Sequence, residues 1–462
     1  MPLDRHSATP LYLQLYHQLR ASYVPQQSAH QKLWSIRKQA QNLGVSKTTV
    51  EQAYEQLLAE GYVYAVPGSG YYFNDIRHWP ATAKPVIPIP PRRIAPRPIQ
   101  FDFRYGVTEV LKPSWNSWKR AVRLALQQTE QAPTELYPDA QGLLTLREQL
   151  VVFLRQTRGV QCQADQIVIT NGPKTGLSLL LSLLPAGTVG IENPGYRGLA
   201  TLIAGVGHQA VRLPVTTAGV DLTAIEQQQP QVVYTTPSHQ FPLGYALPIA
   251  QRLALLQWAA EHQRLIVEDD YDNEYRYDAQ PLPALQSLAT ADQVAYLGTF
   301  AKGIDPTSRM GYVVLPTALM ATYHQQYQYR SAMVAGLLQQ TMVNYFESGA
   351  YYRHLSRSRA LNRQKYQRVC QLLAATALIM PIETGAGLHL VVQIPNLDQT
   401  QLLTALEAAG IRIYPLDSNW VAMPSHDYYL LGFTALTLAE LTVAIPKLIA
   451  VCQRLIANKT TK

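Results

Sequence analysis

The chain has 462 residues, of which 47% are apolar and 15% charged, with a formal net charge of +8. That is the composition of a globular protein with room for two or three domains, and no apolar run is long enough to cross a bilayer. Three scattered cysteines, Cys162, Cys370 and Cys452, exclude a disulfide framework and lack metal-ligand spacing, which points to a reducing cytoplasm.

The charge is uneven. Residues 1–98 hold eleven Lys+Arg against five Asp+Glu, so most of the excess lies in the first fifth of the chain. A basic end on a near-neutral body suits either a solubilising surface or a polyanion partner, and charge alone does not separate the two. The first residues, "MPLDRHSATPLYLQLYHQLR", lack the apolar core and small-residue cleavage site of a signal peptide.

Residues 1–75 read as one small unit. Leu11, Leu15 and Leu19 recur at helical spacing. A short helix follows and ends near Asn42, and "LGVS" turns the chain at Gly44. Ser46 caps a further helix whose Val50, Ala53, Tyr54 and Leu57 face inward. Two strand-like runs, "YVYAV" and "YYF", are joined by the turn "PGSG". This order predicts a winged helix-turn-helix, in which the start of the later helix enters the major groove of double-stranded DNA. The candidate DNA contacts are Ser46, Lys47, Thr48 and Thr49 at that helix start, Arg37 ahead of the preceding helix, and Gly68 and Ser69 at the wing tip. Each alone is ordinary surface polarity; their order together with the local charge favours DNA.

Residues 76–99 hold seven prolines and several basic residues, which predicts a semi-stiff linker. From residue 100 to 462, helical segments alternate with short β-branched runs, "QIVIT", "TVGIE", "QVVYTT", "LIVEDD", "QVAYLGTF" and "MGYVVL". Such alternation predicts an α/β fold with a mostly parallel central sheet, whose ligands sit beyond the carboxyl ends of the strands. Polar clusters fall at those ends: "TNGPKTG", "ENPGY", "TTPSHQFPLG", "EDDYDNEYRY" and "TFAKGIDPTSR".

The five clusters fit one ligand. A lysine against an apolar wall loses hydration, its pKa falls, and it becomes a nucleophilic amine. Pyridoxal phosphate needs such an amine, a carboxylate for its ring nitrogen, a donor for its phenolic oxygen, an aromatic face, and cationic and amide groups around its phosphate. Lys302, Asp269, Tyr271, Tyr196, and Arg309 with the Gly172 loop supply these in turn. Taken singly, each is better explained by a structural role; the full set in this order is not.

The N-terminal unit resembles the DNA-binding domain of the GntR superfamily from "TPLYLQLYHQLR" to "GYVYAVPGSGYYF". One departure is "LWSIR", where Trp34 stands in place of a proline; the preceding loop also lacks glycines. The body resembles a fold-type I aminotransferase, and the two halves together resemble the MocR-type (GabR-like) subfamily. The motifs that carry this are "YPDAQG", "ITNGPKTGL", "ENPGY", "TPSHQFPLG", "EDDYDNEYRY", "TFAKGIDPTSRMGYVVLP", "ESGAYYRHLSRSR" and "AGLHL".

The resemblance implies that Lys302 is the Schiff-base lysine, that Asp269 pairs with the ring nitrogen and Tyr271 with the phenolic oxygen, and that Tyr196 stacks on the ring. Arg309 and Thr299 hold the phosphate with Gly172, Pro173 and Lys174; Gln240 joins the cofactor set; Tyr137 reaches a neighbouring subunit's cofactor, which implies a homodimer. Three positions depart from the pattern. Pro173 and Lys174 replace a hydroxyl residue and a glutamine, Leu430 stands where a carboxylate-binding arginine is usual, and Gly198 replaces an arginine beyond the "NPGY" tyrosine. The expected function is a cytoplasmic transcriptional regulator that senses pyridoxal phosphate or its aldimine with a small amine. The alternatives are an active aminotransferase carrying a DNA-binding domain and a DNA-binding protein whose body only dimerises.

Overall fold

A computed structural model describes residues 3–5, 7, 9–23, 28–75, 99–106, 112–131, 139–277, 282–304, 308–421 and 426–460. The chain divides into two compact units, Met1–Ile94 and Ala95–Lys462. The proposed linker and Tyr137 lie outside the described residues.

In the first unit, helices Leu11–Ser22, Ile36–Leu43 and Lys47–Ala59 precede an antiparallel hairpin, Val63–Val66 with Gly70–Phe73. Local chemistry sets the ends. Ser35 accepts the Lys38 N–H at 3.3 Å, and Gly44 closes the same helix at φ 64°, a conformation glycine adopts without strain. Ser46 accepts the Thr49 N–H at 3.1 Å to open the next helix. Val50, Ala53, Tyr54 and Leu57 are fully buried against Leu15 and Tyr16. Arg37 lies within the first turn of its helix rather than ahead of it, because Ser35 is already the cap.

The second unit is built on an eight-stranded sheet. Its spatial order is Ile167–Thr170, Gly311–Val314, Val294–Thr299, Leu265–Asp270, Val232–Thr235, Thr188–Asn193, Gln209–Thr216 and Gly219–Val220. The five strands from Val294–Thr299 to Gln209–Thr216 pair in parallel. Gly311–Val314 runs antiparallel to both neighbours, as does Gly219–Val220 to its one partner. All six apolar runs of the sequence are strands. Gln209–Thr216 was not anticipated, since its exposure does not alternate and Pro214 interrupts it. The central strands are buried along most or all of their length, which is why they read as continuous apolar runs.

A smaller four-stranded antiparallel sheet holds Met380–Ile382, Leu390–Gln393, Tyr428–Leu431 and Tyr414–Pro415. The long helices Ala350–Leu373 and Leu438–Thr460 pack with it around a shared apolar core. Phe101–Asp102 returns to pair with Ile411–Arg412, so the segment that opens this unit is tied to its C-terminal part.

Candidate functional site

The strand Val294–Thr299 ends in a turn that delivers Lys302 into a cavity of about 230 Å³ at the carboxyl edge of the large sheet. Thr299 Oγ1 accepts the Ala301 N–H at 3.1 Å, tightening that turn. The Lys302 ammonium lies 4.1 Å from the centroid of the Tyr105 ring. Burial brings its pKa down to about 8, against the opposing pull of Asp272. Gly106 passes so close that a Cβ there would lie 3.0 Å from Lys302 Nζ, and its φ of +88° already disfavours any other residue.

The strand Leu265–Asp270 brings Asp269 to the same cavity. The Tyr234 hydroxyl donates to Asp269 Oδ2. Oδ1 is buried with no hydrogen-bond partner among the described residues. Burial pushes this carboxyl up to about 7, helped by the charges of Asp270, Glu192 and Asp272, while the Tyr234 hydrogen bond opposes the shift. A buried acceptor left open in this way fits a cationic N–H donor.

Gly172, at φ 91°, turns the chain from the strand Ile167–Thr170 into the helix Pro173–Ser182. A Cβ on it would lie 3.4 Å from the Arg309 guanidinium. Pro173 occupies the first helical turn, where its ring suits the backbone but removes one N–H that an anion could use. Arg309, itself at φ 48°, is exposed and donates to the Asn171 carbonyl at 3.4 Å. Lys174 Nζ lies 4.5 Å from the centroid of the Tyr196 ring. The cavity thus gathers Gly172, Pro173, Lys174, Tyr196, Asp269, Tyr271, Thr299, Lys302 and Arg309 from the strand ends.

In the small unit, Lys47 and Thr48 are exposed at the start of their helix. The Ser46 and Thr49 hydroxyls lie 2.8 Å apart, so both are already used by the cap. Gly68 is exposed at the wing tip, whereas the Ser69 hydroxyl bonds Tyr72 at 2.6 Å and accepts from Lys32 at 3.3 Å. Trp34, in place of the expected proline, is 46% exposed and carries the Lys38 ammonium 5.1 Å from its ring centroid.

Two family models match the chain: bacterial regulatory proteins, gntR family, over residues 11–73, and aminotransferase class I and II over residues 108–426. The probable rhizopine catabolism regulatory protein MocR of Rhizobium meliloti is 31% identical, covering 94% of this chain and 92% of that one. The HTH-type pyridoxine biosynthesis transcriptional regulator PdxR of Corynebacterium glutamicum is 32% identical, with 93% of each chain covered. This chain belongs to the MocR-type transcriptional regulators of the GntR family. Among solved structures, the Pyrococcus horikoshii kynurenine aminotransferase, in complex with PMP, superposes with a TM-score of 0.66 at 22% identity, over 78% of this chain and 91% of that one. An archaeal alanine:glyoxylate aminotransferase gives 0.69 at 21% identity, over 77% and 91%. These two show the fold of the body.

Within this MocR-type framework, some expected positions fall elsewhere. Gln240 does not line the cavity; its amide donates to the Pro194 and Phe241 carbonyls at 2.8 and 2.6 Å, bracing the loop below. The Tyr271 hydroxyl donates to the His239 carbonyl at 2.8 Å. Leu430 is buried in a small apolar cluster with Leu243, Val391 and Leu416, so an apolar wall replaces the usual arginine. Gly198 packs under Tyr196, where a Cβ would lie 2.8 Å from the ring and an arginine cannot be accommodated without moving it.

The structure adds residues that sequence reasoning missed: Tyr105 under the lysine, Tyr234 on Asp269, Phe241 between Tyr105 and Tyr196, and Glu192. Glu192 is held by the Thr235 and Thr236 hydroxyls at 2.6 and 2.7 Å. Glu192 and Tyr234 were legible as a strand glutamate and a strand tyrosine, but nothing in the sequence alone aims them at Asp269.

Proposed function

We propose that this regulator holds pyridoxal phosphate on Lys302 and converts occupancy of the cavity into a change in operator binding by its winged helix. The observation that carries the reading is the pairing, in one cavity, of a desolvated lysine amine with a buried carboxylate oxygen that has no hydrogen-bond partner. When bound, pyridoxal phosphate supplies an aldehyde for the lysine and a ring nitrogen for the aspartate. Lys302 is kept partly neutral by burial, so its amine can attack near neutral pH. Asp269 Oδ1 would accept from a ring N–H, while Tyr234 fixes the other oxygen. Arg309 and Lys174 supply positive charge at the Gly172 end, which would hold the phosphate, and Lys174 would offset the amide lost at Pro173. Tyr271, whose hydroxyl donates to the His239 carbonyl, would be the donor for the phenolic oxygen.

The same reading makes the protein a cytoplasmic homodimer. Trp115 and Leu126 are exposed on one side of the helix Lys112–Gln131, an apolar surface suited to a second copy. The effector is pyridoxal phosphate itself, or pyridoxal phosphate together with a small amine, because Leu430 and Gly198 leave no guanidinium for a carboxylate where the fold usually provides one. For the same reason sustained transamination is not expected, although Lys302 retains the chemistry for a half-reaction.

The test is an absorption titration of the purified protein with pyridoxal phosphate, alongside gel-shift affinity for the DNA upstream of its own gene. A visible band in the wild type, absent in Lys302→Ala, together with an affinity that changes with pyridoxal phosphate only in the wild type, is the expected result. An unchanged affinity despite a visible band would refute the sensor, and keto-acid formation over many turnovers from an amino-acid panel would make the protein an enzyme.

A further inference from the structure

Three side chains able to ligate a metal meet beside the cofactor cavity. His239 follows the strand Val232–Thr235, Asp272 follows the strand Leu265–Asp270, and His389 leads into the strand Leu390–Gln393 of the small sheet. They are 3%, 2% and 2% exposed, and each offers a ligand atom within 4.8 Å of those of the other two. Among the described residues this is the only group of three or more His, Cys, Asp or Glu so placed.

Their hydrogen bonds leave the group incomplete. The Pro242 carbonyl can only accept, so His389 Nε2, 2.7 Å away, carries the proton and Nδ1 holds a lone pair. That Nδ1 is buried with no hydrogen-bond partner among the described residues, and so is His239 Nε2. Buried polar atoms are normally paired, and two open nitrogens in one cluster point to an absent partner. Asp272 has no Lys or Arg ion-pair partner among the described residues; its oxygens lie 2.9 and 3.1 Å from His239 Nδ1. The cluster therefore offers a buried negative charge together with imidazole lone pairs, which is what a cation requires and an anion or an apolar group does not.

The cofactor reading does not use this set, since none of the three lines the cavity. The Tyr105 ring, on the cavity wall, lies 4.9 Å from the His389 ring, and the Tyr271 hydroxyl lies 3.0 Å from His239 Nδ1. Access from the cavity thus passes between two tyrosines. A Cβ on Gly387, at φ +84°, would overlap the His239 ring, so the backbone holds that imidazole close.

We infer that His239, Asp272 and His389 form a binding site for a divalent transition-metal ion of the zinc class. The ion is held by one Asp272 oxygen and one nitrogen of each imidazole. Such a set suits Zn²⁺, Co²⁺, Ni²⁺ or Cu²⁺, whereas Mg²⁺ and Ca²⁺ take oxygen ligands. Bonds of about 2.0–2.1 Å place tetrahedral ligand atoms roughly 3.3 Å apart, so the three close by at most about 1.5 Å on binding. The site does not depend on pyridoxal phosphate.

The experiment is metal retention by the full chain, stripped of metal and of pyridoxal phosphate, then incubated with ZnCl₂ or MgCl₂ and desalted. Wild type should keep about one zinc per chain, and no magnesium. His389→Gln keeps a donor for the Pro242 carbonyl but loses the imidazole, and zinc affinity should fall by more than about tenfold. Zinc should raise the melting temperature of the wild type and leave that of His389→Gln unchanged. A measurement on the wild type alone stands apart from the variant: loaded with Cu²⁺, it should give a paramagnetic resonance spectrum with coupling to nitrogens of both imidazoles. Zinc lost from the wild type on desalting overturns the inference. So does equal retention by wild type and a folded His389→Gln, which would assign the metal to other histidines, and so does a copper spectrum without nitrogen coupling.

Discussion

The winged-helix unit and the cofactor cavity place their functional side chains in opposite environments. Lys47 and Thr48 stand in solvent, where function asks only that they be reachable. Lys302 and Asp269 are half-buried in the cavity, and desolvation alters each: the amine is lowered to about 8 and the carboxyl raised to about 7. In the first region function is a matter of position on a helix. In the second it is a matter of mutual desolvation, which exists only once the fold is complete.

The largest effect that tests this contrast is expected from Lys302→Ala, which should abolish the visible band of bound pyridoxal phosphate. Binding of a long duplex at low salt should stay within about twofold in the absence of cofactor. Loss of both would mean that the two regions are not separable. The rate of attachment in the wild type should rise with pH through a midpoint near 8, because only the neutral amine attacks and burial has lowered its pKa to that value. A midpoint above about 10 would show a solvated lysine.

Next in size is Asp269→Asn, which keeps an acceptor for Tyr234 but removes the charge. Cofactor affinity should fall at least tenfold, since a buried N–H then faces a neutral oxygen, a difference of about 1.4 kcal/mol or more. The stability of the cofactor-free protein should move the other way. The folded pKa of Asp269 is raised from its ordinary value to about 7, so ionisation costs the fold increasingly as pH rises toward 7, and fully above it. The Asn variant should therefore melt higher than wild type at pH 8, and the gain should vanish near pH 4. A variant that melts lower at pH 8 would show that the carboxylate is stabilising rather than strained.

How much of this was legible depends on the same contrast. The caps, the turn at Gly44 and the inward residues Val50, Ala53, Tyr54 and Leu57 follow from local pattern, because each is decided by a few adjacent residues. Six strands of the large sheet were visible because burial on both faces leaves continuous apolar runs, whereas the half-exposed Gln209–Thr216 leaves none. Lys302, Asp269 and Tyr196 were readable from motifs at strand ends. Tyr105 was not: it stands far from Lys302 in the chain, and the ring-to-amine approach is made by the fold alone. The Gln240 amide, expected at the cofactor, satisfies carbonyls in the Pro194 and Phe241 loops, a demand of buried backbone that no motif announces.

The smaller tests lie in the winged helix, where two neighbouring hydroxyls separate structure from recognition. Lys47→Ala should weaken DNA binding several-fold and reduce the salt slope by about 0.9, the share of a single phosphate. Ser46→Ala and Thr48→Ala each remove one oxygen at the same helix start. Ser46 caps the helix through the Thr49 N–H, so its loss should cost the unit about 1 kcal/mol and lower its melting temperature. Thr48 is exposed, so its loss should leave melting unchanged and appear only in DNA affinity, by a factor of a few. If Thr48→Ala melts lower while Ser46→Ala does not, the helix begins elsewhere and the groove-facing set must be redrawn around the new first turn.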